Sequence, residues 1–590
     1  MKLLSVALFF ISLAGSIKAD TTTDHEIFKA MQDEINRSLD KLKIDGLEEL
    51  YYIEYTITKK HYYQCKATLG TLLETSENTN TLLTVGVRVG DYQFDQTNFF
   101  DINLSFFGSS DDEERYKNRR IPNELDYLSL RRELWLATDV AYKHAAELYS
   151  KKRSAFTNRA KKDTIRDFLE SVDQQKIESN NTYPDFNTSL YNQTVKTVSS
   201  VFIDYPEVNN SSVGIEYIPT ERYYMNSEGT SYKTIDYYTG MEIVGFAKDS
   251  LGMPISNFET VYSNKPGDLP SNDSLKAIAT KVASQIKQLI IASEINEPYS
   301  GPVLFVNGAA SEIIAQGLGY NFVAQRKNMT EGGYQNDMSY SFLQNKIGAR
   351  VLPEYISIYN ATNIYDTLNS QVVGNYDIDD YGEIPAPVDT IVERGYLNML
   401  LSSRVPNRRV KESSASKRQG GSMYSTLVVS NLENVRRLSY SSLKDSLLRL
   451  VKRRNLEYGI IIKKVLNQNL QYTSLFSLAG GDMTFLRGEG NYANTLTYKV
   501  YPDGSEELIK PTKTINFGIK SFKEIVYTGD KPYVYNFLAS AVESPYVTGG
   551  SQYVEATIIS PSLLFEDCEV DILNTDYKKP PIVGSPMSVK

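Results

Sequence analysis

Apolar side chains recur at three- and four-residue steps over residues 24–43 (Phe28, Met31, Ile35, Leu39, Leu42), a spacing that predicts an amphipathic helix with Asp24 as its N-cap. Leu50–Thr58 and Thr81–Val89, rich in Tyr, Ile, Val and Thr, predict strands. From Asn123 to about Lys162 a long helix is expected, with Leu134, Ala137, Val140, Ala141, Ala145 and Leu148 on one face and the single tryptophan, Trp135, anchoring it in the core. Its basic end (Lys151, Lys152, Arg153, Lys161, Lys162) suits a solvated terminus that complements the macrodipole. Residues 172–197 read as a polar connection, Ser199–Asp204, Val213–Ile218 and Glu221–Met225 as strands, and Ser274–Ser293 as a second strong helix.

The stretch Gly301–Asn321 then predicts a short strand (Val303, Leu304, Phe305), a glycine-containing turn and a helix from Ala309 or Ala310 that carries Ser311 and Glu312 in its first turn. Beyond it, Tyr376–Pro387 is acidic and turn-rich, and residues 406–422 have the composition of a mobile, solvated loop. Ser442–Arg454 reads as a helix, and Tyr458–Val465 and Tyr553–Ser560 as strands. Thr495–Tyr501 and Ser505–Ile509 make a hairpin around Pro502-Asp503-Gly504. Strands and helices alternate irregularly, so the expected class is α+β: an N-terminal α/β domain with long helices and a mostly antiparallel sheet, then a largely antiparallel β domain. The expected division is residues 1–19, 20–297, 298–576 and a Pro-rich tail, 577–590.

Composition narrows the class. At 590 residues, 41% apolar and 23% charged, the chain is ordinary for a multi-domain globular protein, and a net charge of −9 argues against nucleic-acid binding. Met1-Lys2, the apolar run Leu3–Gly15 and Ile17-Lys18-Ala19 have the form of a cleaved secretory signal peptide, which places the mature protein in the periplasm or outside the cell with no membrane span. Two cysteines, Cys65 and Cys568, make no disulfide framework, although a single bridge between them is open. Asn187, Asn192, Asn209, Asn272, Asn328 and Asn360 begin glycosylation sequons that matter only in a eukaryotic secretory pathway.

Nucleophile elbows, P-loops and dinucleotide fingerprints are absent in usable form. His25, His61 and His144 are the only histidines and all precede residue 150, so a histidine-rich zinc site cannot be built from the C-terminal half. His61 and Cys65 lie in a strand-like segment, where their spacing does not suit a metal. The acids Asp111–Glu114 and Asp377, Asp379 and Asp380 lack calcium-loop spacing and read as solvated turns.

The ordered strings VRVGDYQFDQTNF (Val87–Phe99), LWLATDVAYKHA (Leu134–Ala145), YYMNSEGT (Tyr223–Thr230), GPVLFVNGAASEIIAQGL (Gly301–Leu318), DIDDYGEIPAPVDTIVERGYLNMLLSSRVP (Asp377–Pro406), LEYGIIIKKV (Leu456–Val465), YPDGSEELI (Tyr501–Ile509) and SPSLLFEDCEV (Ser560–Val570) resemble the TldD/PmbA family of peptidases and peptidase-like proteins over nearly the whole mature chain. The resemblance implies that active members bind zinc through His-Glu-x-x-x-His and a cysteine of the C-terminal domain. Laid on this chain, Ser311 takes the first histidine position, Glu312 the glutamate and Gln316 the second histidine. Serine and glutamine are poor zinc ligands, and Cys568 does not lie in a segment like the family's cysteine-bearing one. Ser413–Arg418 falls where related exported members tend to have a Gly- and His-containing segment.

No cofactor is therefore expected here, although active relatives carry zinc. Glu312 is at most a remnant of a catalytic group, and a carboxyl near a helix N-terminus is favoured by the dipole in any case. The resemblance implies an exported, zinc-free subunit that pairs with itself or a related chain around a shared internal cavity and binds peptide or unfolded polypeptide. Two alternatives stand beside it: an active peptidase with an unrecognised or partner-completed metal site, and a structural or surface-interaction protein using its 43 tyrosines.

Overall fold

The computed structural model describes residues 21–99, 119–157, 164–171, 173–179, 182–326, 329–330, 333–334, 342–467, 491–541 and 552–573. Its class is the α+β one expected, with both main sheets mostly antiparallel. Residues 1–19, read from the sequence as a signal peptide, the acids Asp111–Glu114, Asn328 and the tail 577–590 lie outside the described residues.

The N-terminal half is organised on a long hairpin, β1 (Leu50–Thr68) and β2 (Thr71–Val89), paired along its whole length. The strands β3 (Asn210–Tyr217), β4 (Thr220–Asn226), β5 (Ser231–Asp236), β6 (Thr239–Lys248) and β7 (Pro254–Ser263) extend the sheet in the order β5-β4-β1-β3-β6-β7. Side chains alternate across a strand, so Ile53, Tyr55 and Ile57 meet helices α1 (Thr21–Lys41) and α2 (Tyr127–Thr157). Cys65 and Ala67 meet α3 (Thr188–Ser199) and α4 (Asn272–Ile290) on the same face. The opposite face carries Glu54, Lys60 and Lys66 of β1, with Glu216 and Glu242 beside them.

In the C-terminal half, β8 (Tyr299–Phe305), β9 (Gly459–Val465), β10 (Tyr492–Val500), β11 (Thr512–Ile515) and β12 (Gln552–Ile572) form a closed ring, because β12 returns to pair with β8. The 21-residue β12 also pairs with Thr426–Asn431 and with the long strand Ile525–Ala541. Helix α5 (Gly308–Gly317) packs on this framework, its Ile313 and Ile314 sharing a core with Phe305, Ile462 and Phe565.

Several local expectations change. Within the predicted polar connection, α3 forms because Tyr191, Thr194, Val195 and Val198 share a buried stripe and Asn187 caps it, its side chain accepting from Leu190 N at 3.0 Å. Ser200–Asp204 is a 3₁₀ turn rather than a strand. Asp24 lies inside α1 rather than capping it, and its carboxylate accepts from Tyr223 Oη at 2.7 Å and pairs with Lys233 at 2.6 Å. Trp135 is not in the core: it is 48% exposed, with the Arg37 guanidinium over its ring. Lys152 is buried against Asp167 at 2.6 Å rather than solvated.

The acidic stretch and the 406–422 loop are solvated only in part: Asp377, Arg408, Arg409 and Lys411 are exposed, while Asp379, Ser416 and Arg418 are buried. Asp379 is buried and accepts main-chain N–H bonds from Tyr381, Glu383 and Lys417, so the two segments fold on one another. Burial and the neighbouring Glu383 raise the Asp379 carboxyl to about 7 against the pull of those donors. Arg222 of β4 pairs with Asp380 at 2.8 Å, which fastens this knot to the N-terminal sheet. At Gly382 the backbone has a φ of 79° and comes so close to the other half that a Cβ would lie 2.5 Å from Thr230 Cγ2.

Candidate functional site

The turn from β8 into α5 passes through Asn307, a non-glycine residue at φ 49°. Ser562 of β12 holds it, accepting from Asn307 N at 3.0 Å and lying 3.3 Å from its side-chain oxygen. The contacts fix where the helix starts and therefore where its first side chains fall. Ser311 and Glu312 are both buried, within a helix that is α-helical throughout.

Glu312 is held from two sides. Its Oε1 accepts from Gln316 Nε2 at 2.7 Å and its Oε2 accepts from the hydroxyl of Tyr535, on the strand Ile525–Ala541. Gln316 Nε2 also donates to the carbonyl of Leu466 at 2.9 Å, and Asn467 Nδ2 donates to Tyr535 Oη at 2.9 Å. Burial, with Glu312 beside it, pushes the Tyr535 hydroxyl well above the usual phenol range, so it stays a neutral donor. Ser311 Oγ is enclosed without a hydrogen-bond partner among the described residues.

The geometry bears directly on zinc. A five-residue step on a regular helix separates Ser311 and Gln316 by roughly 140°. Gln316 accordingly pairs with Glu312, one turn away, and turns its amide nitrogen toward the carboxyl and the Leu466 carbonyl. A donor nitrogen so engaged and a neutral hydroxyl do not make a zinc ligand set. Among the described residues, no three His, Cys, Asp or Glu side chains converge in a metal-holding group. Cys568 sits on β12 opposite Gly301, free and buried, its thiol pushed far up by burial; Cys65 is also free, in the N-terminal core.

Sequence reasoning singled out Ser311, Glu312 and Gln316, and the first two stand side by side on one turn while the last two touch. It missed Tyr535, Asn467 and the Leu466 carbonyl, which come from segments more than 140 residues away. No local motif marks them; only the pairing of distant strands brings them to α5.

Comparison with known proteins places this part of the chain. Residues 299–498 match the PmbA/TldA metallopeptidase C-terminal domain. Over that region the chain is similar to the TldD/PmbA family. A search among curated proteins returns no match. Among solved structures, a candidate modulator of DNA gyrase from Thermotoga maritima is 13% identical, with a TM-score of 0.55 over 92% of this chain and 99% of that one. TldE from Thermococcus kodakarensis is 14% identical, with a TM-score of 0.53 over 92% and 100%. A candidate modulator of DNA gyrase from Bacteroides thetaiotaomicron gives 13% and 0.52, over 92% and 99%. These likenesses establish a shared fold across both halves. The PmbA/TldA match begins at β8 and takes in α5 whole, so Ser311, Glu312 and Gln316 all lie inside it.

Proposed function

We propose that the chain is an exported TldD/PmbA-like protein that works without catalytic zinc, as a polypeptide-binding subunit paired with itself or a related chain. The observation that carries this reading is the arrangement at Glu312: both carboxyl oxygens are engaged by Tyr535 and Gln316, and the two positions where the resemblance calls for imidazoles hold a hydroxyl and an amide turned the wrong way. A carboxyl without a Lewis acid cannot lower the pKa of water enough to attack a peptide bond. The burial of Tyr52, Tyr55, Tyr217, Tyr224 and Tyr424 counts against a role that spends the tyrosines on surface contacts.

Metal analysis of the purified full chain, with peptidase assays beside it, tests the proposal. The expected result is zinc well below one per chain and a melting temperature that chelator leaves unchanged. About one tightly held zinc per chain, lost together with peptidase activity in Glu312→Gln, would overturn it.

A further inference from the structure

We infer that residues 164–171 are a clasp that locks the two halves of the molecule into one cooperative unit and sets the wall of the cleft between them. The segment has no regular secondary structure, yet its Phe168 is fully buried. The ring lies between two guanidinium groups, Arg88 from β2 at 3.6 Å and Arg404 from the C-terminal half at 4.1 Å from its centre. Tyr52 and Tyr381, one from each half, close its edges at 5.1 and 5.3 Å.

Each neighbour of Phe168 is gripped as well. Asp167 pairs with Lys152 at 2.6 Å and with Arg326 at 3.0 Å, so it is shared between the halves. Leu169 exchanges bonds with Arg404: its N–H donates to the Arg404 carbonyl at 2.9 Å, and its own carbonyl accepts from Arg404 Nε at 2.9 Å. Arg404 completes the grip on Glu228 at 2.7 Å, and the same Glu228 oxygen accepts from Ser171 N at 3.1 Å and Tyr92 Oη at 2.7 Å.

Ser171 is where the clasp meets the cleft. This space of about 320 Å³ is walled by Ser171 and Gln175 on one side and by Glu383 and Ser413 on the other. Glu228 thus couples the cleft wall to Arg404, which no solvent reaches. Of the other ion pairs that cross between the halves, Arg222 with Asp380 and Lys464 with Glu259 keep part of each partner in water, whereas Lys510 with Asp249 encloses the carboxylate. Releasing Arg404 strands a fully buried cation, whereas releasing Arg222 or Lys464 lets both partners hydrate.

The test is calorimetry of the full chain with amide hydrogen exchange, on the wild type, Arg404→Met and Phe168→Leu. The expected wild-type trace is a single unfolding transition. Arg404→Met should split it into two, with exchange across 164–171 and 413–415 faster by roughly tenfold or more. Phe168→Leu keeps both ionic grips and decides the matter if Arg404→Met does not fold: exchange in the same two segments should rise together, by a smaller factor. Two transitions in the wild type overturn the clasp, and so does Phe168→Leu with exchange at 413–415 unchanged. Neither result touches the reading of Glu312.

Discussion

Glu312 and Asp167 are both buried carboxyls that face another segment of the chain, but they are kept in different company. Around Glu312 the named donors are neutral, a phenol and an amide, and a hydroxyl one position away is left without a partner. Around Asp167 an ammonium and a guanidinium join the neutral donors Asp95 N and Asn98 Nδ2, and Arg88, Asp95, Glu228 and Arg404 continue the charge pattern. A buried charge surrounded by opposite charges is costly to disturb and has little chemistry left to offer. A buried carboxyl on neutral donors such as those of Glu312 carries no such constraint.

The comparison can be broken at either end. Arg404→Met should have the largest effect, a loss of roughly 3–5 kcal/mol in chemical denaturation, because it removes a fully buried guanidinium that binds the Leu169 carbonyl and breaks its ion pair with the partly buried Glu228. Tyr535→Phe should lose about 1–3 kcal/mol, since Glu312 and Asn467 each lose a neutral partner. If the two losses are equal, the contrast between ionic and neutral burial fails. Ser311→Ala should raise stability by about 1 kcal/mol, the low end of the cost of burying an unpaired hydroxyl, and a loss instead would reveal a partner for Ser311.

The smallest effect is on pH dependence and concerns Glu242, on the polar face of the N-terminal sheet. Burial, then Glu216, push its carboxyl to about 7 against the pull of Lys66. The folded chain therefore binds this proton more tightly than the unfolded one. Its contribution is fully present below about 4.5 and is lost as pH rises through about 7. Glu242→Gln should flatten the decline in melting temperature across that window, and an unchanged slope would count against burial at this position.

Periodicity made the long elements legible. The stripes on α1, α2 and α4, the hairpin at Asp503-Gly504 and the step from strand to helix at Asn307 could be read because each depends on neighbours within a few residues. What escaped was decided at long range. Thr188–Ser199, with β-branched and polar residues, folds as a helix because two sheet strands and α4 bury its stripe. Lys152, Asp379 and Arg418 look like surface charges until partners from other segments enclose them. The candidate site divides in the same way: Ser311, Glu312 and Gln316 are adjacent on one helix and could be named, while Tyr535 and Asn467 required the fold.

Strand β12 has a consequence for how the molecule is made. It closes the ring against β8, some 260 residues earlier, and is also the neighbour of β11, Thr426–Asn431 and Ile525–Ala541. Until residues 552–572 emerge, all of these strands have an unsatisfied edge, and α5 lacks the floor on which it packs. Contacts of such sequence separation slow folding. A ribosome stalled before this strand would hold an N-terminal half able to condense and a C-terminal half still open, a nascent chain that stays threadable until residues 552–572 are added.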